Sequence, residues 1–142
     1  MISIVEIRDP RPFAQLRACA AAEGQRIIAR LDDEWTSGRL RFDREGEILL
    51  GAFEGEALVG TGGISRDPYG PQPGLGRVRH LYVRPELRRR GIGTQLMVAL
   101  IAHARGHFAA LRLRSQPAAA GLYERLGFVA AEAPEQTHRL TL

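Results

Sequence analysis

Residues 83–94 read VRPELRRRGIGT, and the rest of the chain can be placed around this segment. An alternating apolar stretch ends at Val83, Pro85 stops it, and three arginines lead into Gly91 and Gly93 at the start of a run with helical spacing. The pattern predicts a strand, a turn and a helix over residues 91–105. A helix start carries free N–H groups and a positive dipole end, so glycines and arginines here predict a phosphate or pyrophosphate site.

Two common phosphate loops are excluded by the residues present. A P-loop needs a lysine, and the chain contains none. The dinucleotide fingerprint needs a third glycine, but Gly93 is followed by Thr94, Gln95 and Leu96. A purely structural alternative stays open at this point, in which the glycines permit tight helix–strand packing and the arginines form a solvated surface.

Outward from this segment, strands and helices follow one another in the order βαα-ββ-β-α-β-α-ββ. The predicted strands cover 2–7, 48–53, 57–64, 77–83, 110–113, 128–131 and 137–142. The predicted helices are two within 13–35, divided at Gly24, then 91–105 and 117–126. Hairpins in the first half and β-α-β crossovers in the second predict an α/β (α+β) fold. Its sheet would be mixed, mostly antiparallel and about seven-stranded, with helices on both faces, in one domain over residues 1–142.

Composition limits the class of protein. The single Cys19 excludes a disulfide framework or a cysteine zinc site, and no metal site is predicted. No signal peptide or membrane-spanning segment is evident, so we expect a cytoplasmic protein. Residues 1–67 hold 9 Arg and 12 acids, whereas residues 68–142 hold 11 Arg and 4 acids, which suggests an anionic partner for the second half. A nucleic-acid-binding module is disfavoured, despite a pI of 10.2, because only 6% of residues are aromatic and the first half is acidic.

A second motif, QPAAAGLYERLGF, spans residues 116–128. Arg88-x-x-Gly91-x-Gly93 after a strand, followed by this motif, resembles the two signatures of the GNAT superfamily of N-acetyltransferases. The resemblance is specific over residues 75–128, and the order of elements extends it to the GNAT-like acyl-CoA N-acyltransferase fold. It implies transfer of an acetyl group from acetyl-CoA to a primary amine of a small molecule or peptide, by direct attack of the amine on the thioester.

The resemblance also implies roles for individual residues. The residues that match the pyrophosphate loop are Arg88, Arg89, Arg90, Gly91, Ile92, Gly93 and Thr94. The strand that pairs with the pantetheine arm would be Leu81, Tyr82 and Val83, with a backbone N–H of Tyr82 or Val83 facing the oxyanion. Gln116 and Ala119 would lie near the cofactor. Tyr123 would lie near the sulfur and protonate the thiolate, and Leu122 and Leu126, four residues apart, are expected to face the core.

The acceptor side departs from the family pattern. Many members carry a glutamate base at the position of Arg77, and arginine cannot act as a base. His80 is a candidate base, although strict strand alternation turns it away from Arg77 unless a bulge intervenes. The alternatives are a water chain, an amine that enters neutral, or a CoA-binding protein without catalysis.

Asp32, Glu34 and Trp35 form an acidic and aromatic cluster where the family builds one wall of the acceptor pocket. This cluster predicts a wall for a cationic amine. A solvated helix end is the simpler explanation of the same residues. Dimers are frequent in the family, so a homodimer is a further possibility.

Overall fold

The computed structural model describes residues 1–70 and 72–142. The strands are β1 (Ile2–Glu6), β2 (Ile48–Glu54), β3 (Ala57–Arg66), β4 (Leu75–Val83), β5 (Ala110–Leu113), β6 (Val129–Ala133) and β7 (Gln136–Thr141). The helices are α1 (Phe13–Ala22), α2 (Ile27–Ser37), α3 (Ile92–Ala104) and α4 (Ala120–Arg125). Single 3₁₀ turns at Pro85–Leu87 and Pro117–Ala119 precede α3 and α4. The predicted order of elements is confirmed, and Pro71, between β3 and β4, lies outside the described residues.

One mixed sheet carries all seven described strands in the order β1-β2-β3-β4-β5-β7-β6. The pair β4–β5 is parallel and the other pairs are antiparallel. The parallel pairing extends only from Leu75–Ala110 to Arg77–Arg112. Because β5 ends at Leu113 while β4 continues to Val83, the second half of β4 has no strand partner on this side among the described residues, and this unpaired stretch is the gap between β4 and β5.

Helices cover the sheet on two faces, as predicted. On one face, α1 and α2 insert fully buried Phe13, Leu16, Ile28 and Leu31 against β2 and β3. On the other face, α3 packs Leu96, Met97 and Leu100 against the same central strands, and α4 joins this second cluster. The apolar stripes of α1, α2 and α3 therefore fix the sheet between two cores.

Three glycines of β3 lie beneath these cores. A Cβ on Gly62 would lie 3.1 Å from Leu100, and one on Gly63 would lie 2.6 Å from the ring of Phe42. A Cβ on Gly60 would lie 3.0 Å from the carbonyl oxygen of Tyr82. These glycines thus allow the protein's own side chains and backbone to pack closely against the backbone of β3.

A bulge interrupts the β3–β4 ladder next to the gap. Thr61 pairs with Tyr82 and Gly63 with Arg79, so Gly62 alone faces two residues of β4. One of these is His80, which has a left-handed φ of 54°. The Thr61 hydroxyl donates a hydrogen bond to the His80 carbonyl oxygen at 2.8 Å, which holds the unusual backbone in place.

Candidate active site

The segment between β4 and α3 forms a cradle of free backbone donors. Arg89 and Gly91 both have left-handed φ values, 66° and 80°. Among the described residues, the N–H groups from Arg89 to Thr94 have no backbone acceptor, whereas those of Arg88 and Gln95 are bonded to Pro85 and Gly91. Consecutive free N–H groups at a helix N-terminus form a concave site for an anion.

Space and charge at the cradle also suit a pyrophosphate. A Cβ built on Gly91 meets no atom within 4 Å, so the space above this glycine is open. Arg89 and Arg90 are exposed, and their guanidinium groups make no ion pair among the described residues. The residues present therefore fit the pyrophosphate of the donor predicted from the sequence.

Arg88 differs from its two neighbours. Its Nη2 and Nη1 atoms bind the two Glu23 carboxylate oxygens at 2.6 and 3.2 Å, and its Nε donates to the Val83 carbonyl oxygen at 2.9 Å. The guanidinium also lies over the ring of Tyr82, 5.4 Å from its centre. The Arg88 side chain thus ties the cradle to the end of α1 and to the end of β4, and it is not free to bind phosphate in this arrangement.

Glu23 was not identified from the sequence, because no local motif marks it. The Tyr82 hydroxyl donates to its Oε1 at 2.5 Å. This hydrogen bond, together with that from Arg88, holds the pKa of Glu23 below its usual value. Burial, and then the hydrogen bond to Glu23, raise the pKa of Tyr82. Tyr82 is therefore a neutral phenol directed into the core beneath α1, and only its backbone borders the gap between β4 and β5.

The bulge places His80 on the α1–α2 face. Its Nε2 lies 2.8 Å from Glu34 Oε1, and Glu34 Oε2 accepts from Arg79 Nη2 at 3.1 Å. The hydrogen bond to His80, with the charge of Arg79 adding to it, lowers the pKa of Glu34. Strict alternation predicted opposite faces for His80 and Arg79, and the extra residue of the bulge is the physical reason that both reach the same carboxylate.

The acidic cluster of α2 is divided between different environments. Asp32 pairs with Arg17 of α1 at 2.9 Å. Trp35 is buried and packs edge-on against Phe13, with ring centres 5.8 Å apart. Of the three residues predicted as a wall for the acceptor, only Glu34 contacts His80 in the structure.

Tyr123 is the buried residue of α4. Its ring packs edge-on against Phe128 at 5.7 Å and lies 6.5 Å from the ring of His138. Burial raises the pKa of Tyr123 to about 12. Leu126 packs against the core cluster as expected, whereas Leu122 is half-buried and lies over the first turn of α3, 3.6 Å from the position of a Cβ on Gly93. This contact brings α4 beside the cradle.

The remaining predicted cofactor residues lie just before α4. Gln116 is exposed and precedes the 3₁₀ turn, and its carbonyl oxygen accepts from the N–H of Ala119 at 2.9 Å. Ala119 is half-buried and packs against the cluster that contains Tyr123. Both residues follow β5, so they stand on the far side of the gap from β4.

Comparison with known proteins agrees with this geometry. A model of the acetyltransferase (GNAT) domain matches residues 19–142. The N-alpha-acetyltransferase RimI of Mycobacterium tuberculosis is 36% identical over 120 residues, which are 81% of this chain and 73% of that protein.

Solved structures show the same fold. An acetyltransferase from Exiguobacterium matches with a TM-score of 0.89 and 28% identity, over 99% of this chain and 93% of that one. A GNAT family acetyltransferase from Brucella melitensis in complex with acetyl-CoA matches with a TM-score of 0.76 and 21% identity, over 100% of this chain and 88% of that one. The chain therefore belongs to the GNAT family of acetyltransferases, whose acyl donor is acetyl-CoA.

Proposed function

We propose that this protein transfers the acetyl group of acetyl-CoA to a primary amine of a small molecule or peptide, by direct attack of the amine on the thioester. The observation that carries the proposal is the run of free N–H groups from Arg89 to Thr94, which lies at the mouth of the gap between β4 and β5. A phosphate-binding cradle beside an unpaired strand edge suits a ligand with a pyrophosphate at one end and an extended arm.

Donor binding is divided between backbone and charge. The N–H groups of Arg89 to Thr94 hold the pyrophosphate, and the free guanidinium groups of Arg89 and Arg90 add positive charge. Leu81 to Val83 offer the backbone of β4 to the pantetheine arm, and Gln116 and Ala119 border the arm from the other side. Arg88 acts through Glu23 as a support for the loop.

The chemistry requires one proton to leave the amine and one to reach the sulfur. When bound, acetyl-CoA supplies a thioester; an N–C bond forms, the C–S bond breaks, and the electron pair of that bond goes to sulfur. A backbone N–H of Tyr82 or Val83 stabilises the negative charge that develops on the carbonyl oxygen.

His80 is the proposed acceptor of the amine proton. Because Glu34 is a carboxylate, the His80 Nε2–H donates to it, and the lone pair of the neutral ring lies on Nδ1. Glu34 and Arg79 hold the ring in this orientation. Nδ1 then receives the amine proton as the new N–C bond forms.

Tyr123 is the proposed donor to the sulfur. With a pKa raised to about 12 by burial, its hydroxyl stays protonated across the whole physiological pH range. The side chain belongs to α4, which packs on the first turn of α3 beside the cradle. A neutral phenol at this position can give its proton to the departing thiolate.

The experiment that tests this function measures thiol release from acetyl-CoA against a panel of primary amines. The panel includes small amines and short peptides with free N-termini, because the relative from Mycobacterium tuberculosis is named an N-alpha-acetyltransferase. Thiol release that depends on the amine, with the acetylated product seen by mass spectrometry, supports the proposal. Binding of acetyl-CoA without amine-dependent release would instead identify a CoA-binding protein without catalysis.

A further inference from the structure

His138 is a buried histidine that the proposed donor binding and amine chemistry do not use. It belongs to β7, where it is opposite Leu113 of β5, and only 7% of its side chain is exposed. Both ring nitrogens have partners. Nε2 lies 2.9 Å from Oε2 of Glu124 in α4, and Nδ1 lies 2.8 Å from the hydroxyl oxygen of Thr137. A buried imidazole with two such partners is held in one orientation.

These contacts belong to a longer chain of hydrogen bonds. A carboxylate only accepts, so the Nε2–H of His138 donates to Glu124, and Nδ1 of the neutral ring accepts from the Thr137 hydroxyl. The Thr137 oxygen in turn accepts from the backbone N–H of Ser115 at 2.8 Å. The chain therefore ties Ser115 and Glu124, which lie on either side of the turn that precedes α4, to the sheet at β7.

The helix α4 depends on contacts outside itself for its position. It is only six residues long, and no side-chain hydrogen bond caps its first turn. A helix this short is not stable by itself, so the rest of the protein must hold it in place. Among the described residues, the contact between Glu124 and His138 is the one side-chain hydrogen bond that links α4 to another element.

Tyr123 precedes Glu124 on this helix and carries the proposed proton donor. Its ring centre lies 5.7 Å from that of Phe128 and 6.5 Å from that of His138. Within the described residues its hydroxyl makes no hydrogen bond, and burial alone raises its pKa. The position of the hydroxyl is thus set by the packing of the ring and by the docking of α4, rather than by a partner of its own.

We propose that His138 is a positioning residue for the transfer step. Through Glu124 it holds α4 so that the Tyr123 hydroxyl is directed at the departing sulfur of the donor. The inference rests on the proposed acetyltransferase function and on the role given there to Tyr123. His138 exchanges no proton with the substrates, and its effect on the rate passes through the phenol. A proton donor displaced by about 1 Å loses much of its effect on the rate.

Glu124→Ala is the informative variant, because the Glu124 side chain is 52% exposed and its removal breaks the hydrogen bond without emptying the core. We expect kcat to fall about tenfold, while the Kd for acetyl-CoA stays within about twofold because the cradle lies in a different segment. Glu124→Gln keeps an oxygen that accepts from the His138 Nε2–H, so it should restore most of the rate.

Arg125→Ala is the matched control. Arg125 is exposed on the same helix and makes no ion pair among the described residues. Its substitution removes a charged side chain from α4 and leaves the contact between Glu124 and His138 in place. It should therefore keep the wild-type kcat.

A double-mutant cycle separates positioning from a general weakening of the fold. In the Tyr123→Phe background, Glu124→Ala should have no further effect on kcat, because no phenol proton is left to direct. His138→Phe keeps a ring of similar size and removes both nitrogens, so it should lower kcat to the same extent and lose its effect in the same background. If His138→Phe does not fold, the cycle with Glu124→Ala still decides the question.

Two results would overturn the inference. One is wild-type kcat for Glu124→Ala, measured with an amine that the wild type acetylates and where chemistry limits turnover. The other is an equal fall in kcat for Glu124→Ala with and without the Tyr123 hydroxyl. Both results would leave the proposed acetyltransferase function intact.

If the wild type acetylates no amine, the proposed function fails instead, and nuclear magnetic resonance of the Tyr123 ring then judges the positioning. The ring signals are assigned by comparison with Tyr123→Phe. They should shift in Glu124→Ala and stay in place in Arg125→Ala, because only the first variant releases α4 from His138. Unchanged ring signals in Glu124→Ala would refute the positioning role.

Discussion

Substitution of Gly91 gives the sharpest test of the cradle. With φ at 80°, any L-residue here costs roughly 1–2 kcal/mol of folding free energy. That corresponds to a fall in Tm of about 2–8 °C for a chain of this size. No protein atom lies within 4 Å of the added Cβ, so Gly91→Glu should otherwise fold normally.

The effect on the donor should be much larger than the effect on stability. A glutamate at this position would bring its carboxylate to within about 5 Å of a bound phosphate, where each pair of unit charges repels by about 3 kcal/mol at an effective dielectric constant of 20. We therefore expect acetyl-CoA affinity to fall by at least about 100-fold. Gly91→Gln has similar size without charge, and its smaller loss would separate electrostatic from steric effects.

Calorimetry with acetyl-CoA and thermal unfolding make the test complete. Gly55→Glu is the matched control, since Gly55 also has a left-handed φ, 61°, with no atom within 4 Å of its Cβ position, but lies in the β2–β3 turn. It should lower the Tm to a similar extent and leave acetyl-CoA binding unchanged. A folded Gly91→Glu protein that binds acetyl-CoA with wild-type affinity would refute the cradle.

Three further predictions address individual side chains. Tyr123→Phe should keep acetyl-CoA binding and lower kcat and kcat/KM together by on the order of 10²-fold, and wild-type kcat under conditions where chemistry limits turnover would contradict this. His80→Gln should lower kcat by on the order of 10²-fold at neutral pH, and this loss should shrink as the pH approaches the pKa of the amine. Glu34→Gln should show a smaller loss with the same pH dependence. A loss that does not depend on pH would exclude His80 as the base. Because the pKa of Glu23 is lowered in the folded protein, its carboxylate stabilises the fold at pH values above the unfolded-state pKa, and this stabilisation is lost as the pH falls. Glu23→Gln should therefore flatten the decline in the free energy of unfolding between about pH 5 and 3. An unchanged decline would show that this carboxylate is not responsible.

The elements of the fold could be predicted because their ends are marked in the chain. Gly24, Pro85 and Gly127 separate apolar segments with period near 3.6 from segments with period 2. The predicted bounds of β4 were too short, since residues 75 and 76 are extended through pairing with Ala110 and Leu111 of β5. Such pairing joins residues far apart in sequence, and no local pattern reports it.

Helix geometry also bears on the acceptor side. Residues two apart on a helix do not face each other, so Asp32 and Glu34 could not form one wall. Trp35 follows Ile28 and Leu31 at core spacing, which already predicts its burial beneath α2. The bulge at His80 is different in kind. Its left-handed backbone is sustained by the Thr61 hydroxyl from the neighbouring strand, and a histidine gives no local sign of it.

The donor side of the candidate site could be predicted from the sequence better than the acceptor side, and the reason is physical. The donor cradle is made from the backbone of consecutive residues, and a left-handed turn next to a helix start favours glycine. One short segment of sequence is therefore enough to predict the phosphate site. The acceptor side is made from side chains that α2 and β4 bring together. Glu34 meets His80 across 46 positions, and Asp67 meets Arg112 across 45. Charges that are separate in sequence become neighbours only when the helices and strands pack together, so no local motif could predict the acceptor side.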